Sequence, residues 1–289
     1  MHDKRFFDHT LRLIESDQIK PAVMMLAGQL FAARHNSADW PATRQTYLHH
    51  RLHEVMLTDP CTNRCVIKPR GYAGDAETID LIYNQEIPSG TSPLGGRIYD
   101  STIGFPVYEA VRLRREHSAQ VVADAARAGH RILSLACGHF REGDGLSANE
   151  VGRFTLVDQD ELSLGFVRTR HGTAANCVKA NVFSYLRGAI SRKERFDLVY
   201  TLGLTDYLDS REMKLLFHMV KAVLAPHGTF LLANFVPAHL AIGWMEAVMD
   251  WHLIYREEAD LAAFAAQEGM TSETWLDPTG SIAWCRARI

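Results

Sequence analysis

Nothing in this 289-residue chain approaches the ~20 consecutive apolar residues of a membrane-spanning helix, so insertion into a bilayer is not expected. Surplus positive charge is missing as well. Lys and Arg number 31 against 34 Asp and Glu, a net of −3, and without a basic face there is no electrostatic footprint for nucleic acid. The five cysteines are scattered and odd in number, which excludes a disulfide framework and fits reduced thiols in a cytoplasmic protein. Cys61 and Cys65 lack a second pair of ligands nearby, and His49 and His53 flank His50 where a zinc-protease helix carries Glu. No metal site is expected. Met1 to Arg5 run into an amphipathic stretch rather than the apolar core of a secretion signal.

What is there centres on one stretch. Arg131-Ile132-Leu133-Ser134-Leu135-Ala136-Cys137-Gly138 carries an apolar run into small residues and a glycine, and His139-Phe140-Arg141-Glu142 follows. That is the pattern of a buried parallel strand delivering a tight turn to a helix N-terminus. Asp158 comes twenty positions after Gly138, closing a second apolar run, Phe154 to Val157. Doubly wound folds hold an adenosine ribose this way: the turn admits the ligand to the backbone and the carboxylate accepts from the hydroxyls. An ordinary strand-turn-helix of any α/β domain would share the first half of the pattern. Gly138 is the only glycine of the turn, so the dinucleotide fingerprint G-x-G-x-x-G is absent. His139 and Phe140 would crowd a pyrophosphate, which counts against a nicotinamide-dependent oxidoreductase.

Around this centre, residues 4–57 place Leu11, Ile14, Ile19, Val23, Leu26, Leu30 and later Leu48, Leu52, Val55 and Met56 at helical spacing. These predict helices for packing or for a homodimer. In Lys68-Pro69-Arg70-Gly71-Tyr72-Ala73-Gly74-Asp75-Ala76-Glu77 an acid opens an apolar-periodic run, so Asp75 is expected to cap a helix. Pro88 to Gly96 is turn-rich and suits a cover over a site. A long helix from about Val107 to Ala128 leads into the central strand. From there strands and helices alternate: strands at 154–157, 176–179 and 196–204, a helix at 212–224, the turn Pro226-His227-Gly228 and a strand at 229–235. The tail adds a helix from Gly243 to Arg256 and short strands at 270–276 and 281–286. The order reads as α/β: a doubly wound, mostly parallel seven-stranded sheet, a helical N-terminal region and a C-terminal antiparallel hairpin. The expected division is 1–118, helical and covering the substrate, and 119–289, binding the cofactor.

Ile132 to Glu142 resembles motif I of class I methyltransferases, and Asp158 falls on that family's ribose acid. With Lys68 to Tyr83, Leu156 to Leu164, Phe196 to Tyr207 and Trp244 to Arg256, the chain is similar to a bacterial small-molecule group. That group includes enzymes forming methyl esters of 3-hydroxy fatty acids and methionine-type S-methyltransferases. Gly71-Tyr72-Ala73-Gly74-Asp75 is its most specific segment, because ordinary class I members lack it. The resemblance spans residues 60–289 and implies S-adenosyl-L-methionine (SAM) as cofactor. Its binding residues would be Tyr72, Ala136, Cys137, Gly138, Arg141, Glu142, Asp158, Gln159, Asn181, Val182, Leu202 and Gly203. Three departures stand out: Ser134 replaces a frequent acid, and Ala136 and Phe140 replace glycines.

Methyl transfer from a sulfonium is an in-line displacement helped mainly by proximity and orientation. No residue stands out as a general base, although His139 and His252 are candidates. Carboxylate and thioether acceptors need none. A thioether attack passes positive charge to the product and favours aromatic faces with an acid nearby; a carboxylate attack favours a dry pocket. The expected catalytic residues are Asp75, Asp206 and Tyr207, and Arg70, Asn234, Trp244, Tyr255 and Arg256 are expected to hold the substrate. The reading leans to the thioether sulfur of a small, carboxylate-bearing, methionine-like acceptor. Ester formation on a 3-hydroxy fatty acid and a catalytically silent SAM-binding regulator are the alternatives.

Overall fold

The computed structural model describes residues 2–36 and 39–289, which cluster into two compact units. One takes the chain up to Arg112 together with Ala238–His252; the other takes Leu113–Pro237 and Leu253–Ile289. The boundary between the units on the chain's first pass lies at 112/113, and a piece of the C-terminal half belongs to the helical unit.

The helical unit holds α1 (His2–Glu15), α2 (Ile19–Asn36), α3 (Trp40–Leu48), α4 (Arg51–Met56), α5 (Pro60–Ile67), α6 (Ala76–Asn84), α7 (Pro93–Thr102) and the start of α8 (Pro106–Arg127). Its returning segment carries a helix at Ile242–Ala247, α13 in chain order. The predicted periodicity forms its core: Val23, Leu26, Leu30, Leu52 and Met56 are fully buried, each side chain contributing about 1.5–3 kcal/mol by leaving water. Gly243 lets α13 meet α2 closely, since a Cβ there would lie 2.5 Å from the carbonyl carbon of Leu30. Arg34 and Trp40 both donate to Glu246 (2.8 and 2.7 Å), and Lys68 pairs with Asp250 (2.5 Å). The helix expected from Gly243 to Arg256 stops at Ala247, and Asp250 beyond it turns left-handed (φ 47°). The residues that follow run without regular structure to Glu257.

The second unit is built on a seven-stranded sheet: β1 (Ile132–Leu135), β2 (Phe154–Asp158), β3 (Asn176–Lys179), β4 (Phe196–Thr201), β5 (Leu224–Phe235), β6 (Thr271–Leu276) and β7 (Ile282–Arg288). Strand order is β3-β2-β1-β4-β5-β7-β6, parallel from β3 to β5 and antiparallel at β7. The fold is the α/β sheet with a terminal hairpin that the chain order predicts. Helices α9 (Ala148–Val151), α10 (Glu161–His171), α11 (Val182–Ser191), α12 (Ser210–Val223) and α14 (Glu258–Gln267) complete the unit. The last of these has no counterpart in the sequence reading. Leu133, Leu135, Val199, Phe230 and Leu232 pack with α11, α12 and α14 on one face, joined by Ala283, Cys285 and Ala287 of β7. Trp284 alternates to the other face, where His117 of α8 meets it edge-on at 4.7 Å. Pro226-His227-Gly228 is not a turn before a strand but a bulge inside β5. His227 is left-handed (φ 64°), and a Cβ on Gly228 would press on the carbonyl of Ala225 at 2.8 Å.

Candidate functional site

The direction of strand order reverses between β1 and β4, so the crevice beyond their C-terminal ends is the topological switch point where open α/β sheets place ligands. β1, buried on all four residues, delivers the turn to this crevice. Ala136, Gly138 and Phe140 alternate in the left-handed region (φ 56°, 53° and 51°), a curl that gathers backbone N–H groups into a concavity. The two residues standing in place of glycines thus adopt the conformation glycine would take. That costs roughly 1–2 kcal/mol at each. At Phe140 burial offsets it: the ring packs edge-on against Phe154 (4.9 Å) and His171 (5.3 Å). Gly143 leaves the room, since a Cβ there would overlap the Phe140 ring, with Cδ1 at 2.7 Å.

Asp158 ties the end of β2 to this turn. Its Oδ2 accepts from the Gly138 N–H (2.8 Å) and its Oδ1 from the Asp160 N–H (2.9 Å). Each oxygen keeps a further lone pair. Burial raises its pKa above the usual carboxylate range. Glu142 lies buried beside the turn and accepts from the Tyr200 hydroxyl (2.6 Å); desolvation raises its pKa too. Tyr200 stands opposite Ser134 in the β1–β4 register, so an acid is supplied near the position where Ser134 departs from the motif. Cys137 is buried, and its thiol pKa is pushed well up by burial, which leaves it unreactive. His139 stacks on Phe166 (4.2 Å), and Arg141 lies over the same ring at 4.6 Å.

Asn181 caps α11, its Oδ1 accepting from the N–H groups of Phe183 and Ser184, which leaves its amide nitrogen for other use. Val182 belongs to the core rather than to a surface site. Gln159 is exposed, and Leu202 and Gly203 are half-buried at the end of β4. Thr205–Tyr207 forms one 3₁₀ turn. Asp206 is buried there, accepting at Oδ1 from the Phe235 N–H (2.8 Å), while Tyr207 stays exposed. Desolvation pushes the Asp206 carboxyl up to about 7 against the opposing charges of Arg114 and Arg256.

Several expected substrate and catalytic residues make contacts within the chain. Arg256 donates to the carbonyls of Thr205 (2.7 Å) and Leu208 and to Asn234 Oδ1 (3.1 Å). Asn234 in turn donates to the carbonyls of Phe235 and Ile254. Both spend these donors on acceptors within the chain. Asp75 caps α6 as its sequence position predicts, accepting from the Thr78 N–H. It is also gripped by Arg64 Nε and Nη2 (2.9 and 2.6 Å) and fully buried. Arg70 pairs with Glu77 (2.5 Å). Trp244 is buried in the helical unit, edge-on to Phe105 at 5.3 Å. Tyr72 and Tyr255 are half-buried, in the helical and the sheet unit respectively. His252 hydrogen-bonds to Asp250 and Arg44 within the helical unit. Among the described residues no cluster of metal-ligating side chains occurs, and all five cysteines are free.

One residue of the crevice escaped sequence reading. Arg114 is buried on α8, where Val111, Arg114, Ser118 and Val122 form one inward stripe. Within Arg112-Leu113-Arg114-Arg115 it resembles surface charge, and only its place in that stripe marks it.

The raised pKa of Asp206 has a measurable consequence. A carboxylate whose folded pKa lies above its unfolded value contributes stability below about pH 4 and loses it as pH climbs to about 7. Asp206→Asn is therefore expected to gain stability relative to the parent chain as pH rises from 4 to 8, read from urea unfolding across that range. A pH-independent difference between the two curves would remove Asp206 as the buried titrating group.

No family model matches this sequence, and no curated protein matches it either. Solved structures do. A possible exported protein from Bordetella parapertussis is 19% identical with a TM-score of 0.62, the match covering 94% of this chain and 96% of that one; it shares the fold. Magnesium protoporphyrin IX methyltransferase from Synechocystis PCC 6803, with bound S-adenosylhomocysteine, is 14% identical with a TM-score of 0.47, covering 63% and 86%. An N1-methyltransferase of 1,6-didemethyltoxoflavin from Burkholderia thailandensis is 17% identical with a TM-score of 0.44, covering 61% and 77%.

Proposed function

We propose that this chain is a SAM-dependent methyltransferase acting on a small molecule. One observation carries the reading: the left-handed Ala136–Gly138–Phe140 turn at the switch point is hydrogen-bonded to Asp158, the acid that ends β2. The donor set fits a nucleoside without phosphate. Asp158 keeps lone pairs for ribose hydroxyls, the turn offers backbone at an exposed Ala136 and a half-buried Gly138, and Asn181 keeps its amide for a base. Bound SAM would supply an electrophilic methyl group on its sulfonium.

For the acceptor we favour the thioether sulfur of a methionine-like amino acid. Such a nucleophile needs no base, and its product is a cation. Asp206, once ionised, and the exposed ring of Tyr207 beside it suit that charge. The first test is mass spectrometry after incubation with methyl-labelled SAM and either L-methionine or a 3-hydroxy fatty acid. A labelled sulfonium supports this acceptor; a labelled ester moves it to a carboxylate; binding of SAM with no labelled product from any metabolite pool favours a silent regulator.

Asp158→Ala is expected to weaken S-adenosylhomocysteine binding by about 1–3 kcal/mol through loss of charged hydrogen bonds. Calorimetric affinity equal to that of the parent chain would take Asp158 out of the site.

A further inference from the structure

Arg114 is 5% exposed, yet its Nε finds no hydrogen-bond partner among the described residues. Burying a guanidinium without partners is costly, and native interiors seldom do so. Its surroundings are those of the crevice. Nη1 lies 3.8 Å from where a Cβ of Gly203 would stand, at the end of β4. The Phe235 ring lies 5.9 Å from Cζ. Two buried acids, Glu142 and Asp206, feel its charge without forming an ion pair with it. Once ionised, both acids would repel a bare anion entering here, whereas an anion carrying its own ammonium brings a charge of the right sign for Arg114 and for the acids.

We propose that Arg114 receives the α-carboxylate of the cofactor's amino-acid end, the ammonium of that zwitterion being left to the nearby acids. This rests on the methyltransferase reading and deepens it. The nucleoside is anchored at Asp158 by β2, and the amino-acid end then lies across β1 towards β4, where Arg114 waits. A planar guanidinium is the side chain best shaped for a carboxylate, which it binds through two parallel N–H donors, and Nε of Arg114 is an unpartnered one.

The test compares S-adenosylhomocysteine with 5′-(3-aminopropylthio)adenosine, which differs from it only by lacking the carboxylate. Calorimetry on the unmutated chain should show the second ligand binding roughly 10- to 100-fold more weakly, the worth of a charge-assisted hydrogen bond. Arg114→Gln should weaken S-adenosylhomocysteine by a similar factor and leave the aminopropyl ligand within about twofold, so that the two substitutions do not add. That second ligand also reports whether the variant is folded. Arg114→Lys, which keeps the charge without the fork, should recover part of the loss.

Equal binding of the two ligands to the parent chain overturns the proposal, and does so without any mutant. An equal loss of both ligands in Arg114→Gln overturns it in favour of a structural role. So does unchanged S-adenosylhomocysteine affinity combined with lost binding of L-methionine to the loaded protein, which would give the carboxylate to the acceptor. If neither nucleoside binds the parent chain, the methyltransferase reading falls first and this inference with it.

Discussion

Truncating Phe140 to alanine should destabilise the protein by about 3–5 kcal/mol, the cost of emptying a fully buried aromatic position. The ring is 1% exposed and wedged between Phe154 and His171. It also offsets the left-handed backbone at its own position (φ 51°), so the variant keeps the strain and loses its compensation. Affinity for S-adenosylhomocysteine should fall as well, because the same backbone shapes the turn that reaches Gly138. The decisive comparison uses Gly143. In the parent chain Gly143→Ala drives a methyl group into the Phe140 ring and should cost about 1–3 kcal/mol. In the Phe140→Ala background the ring is gone, and the same change should be close to neutral. Urea unfolding of the four chains gives the coupling directly. Simple additivity of the two changes would show that the ring and Gly143 do not share this space.

Arg256→Ala should cost a comparable amount, about 3–5 kcal/mol, for a different reason. Its guanidinium supplies the carbonyls of Thr205 and Leu208 and Asn234 Oδ1 from a position that is 4% exposed. Removing it strands buried acceptors and takes one of two cations from beside Asp206. Lysine restores the charge but not the fork, so Arg256→Lys should recover less than half of the loss. Were Arg256 an acceptor clamp instead, alanine would leave the unfolding midpoint near that of the parent chain and raise only the acceptor's KM. The two outcomes are well separated.

Those two arginines mark how far the sequence could be read. Arg256 is legible in the sequence as a candidate, but a pattern does not show which carbonyls surround it. The burial of Arg114 is hidden in a basic run, where it resembles surface charge. Asp75 divided the same way. Its role as helix cap follows from the residues after it, whereas the grip of Arg64 depends on how the loop between them closes. The helix Glu258–Gln267 went unseen because its small residues, Ala259, Ala262, Ala263, Ala265 and Ala266, give little periodic contrast.

By itself the sequence determined the strands, their mostly parallel run and the position of the turn and Asp158, because each rests on local periodicity and on residues adjacent in the chain. It also predicted the antiparallel hairpin. Tertiary structure alone decided three things: that Ala136 and Phe140 could take a glycine conformation, that Arg256 and Asn234 face inward, and that the Arg114 cation is buried close to Gly203. The physical reason is common to all three. A strained backbone and a buried charge are tolerated only through contacts with residues distant in the chain, and those contacts exist only once it has folded.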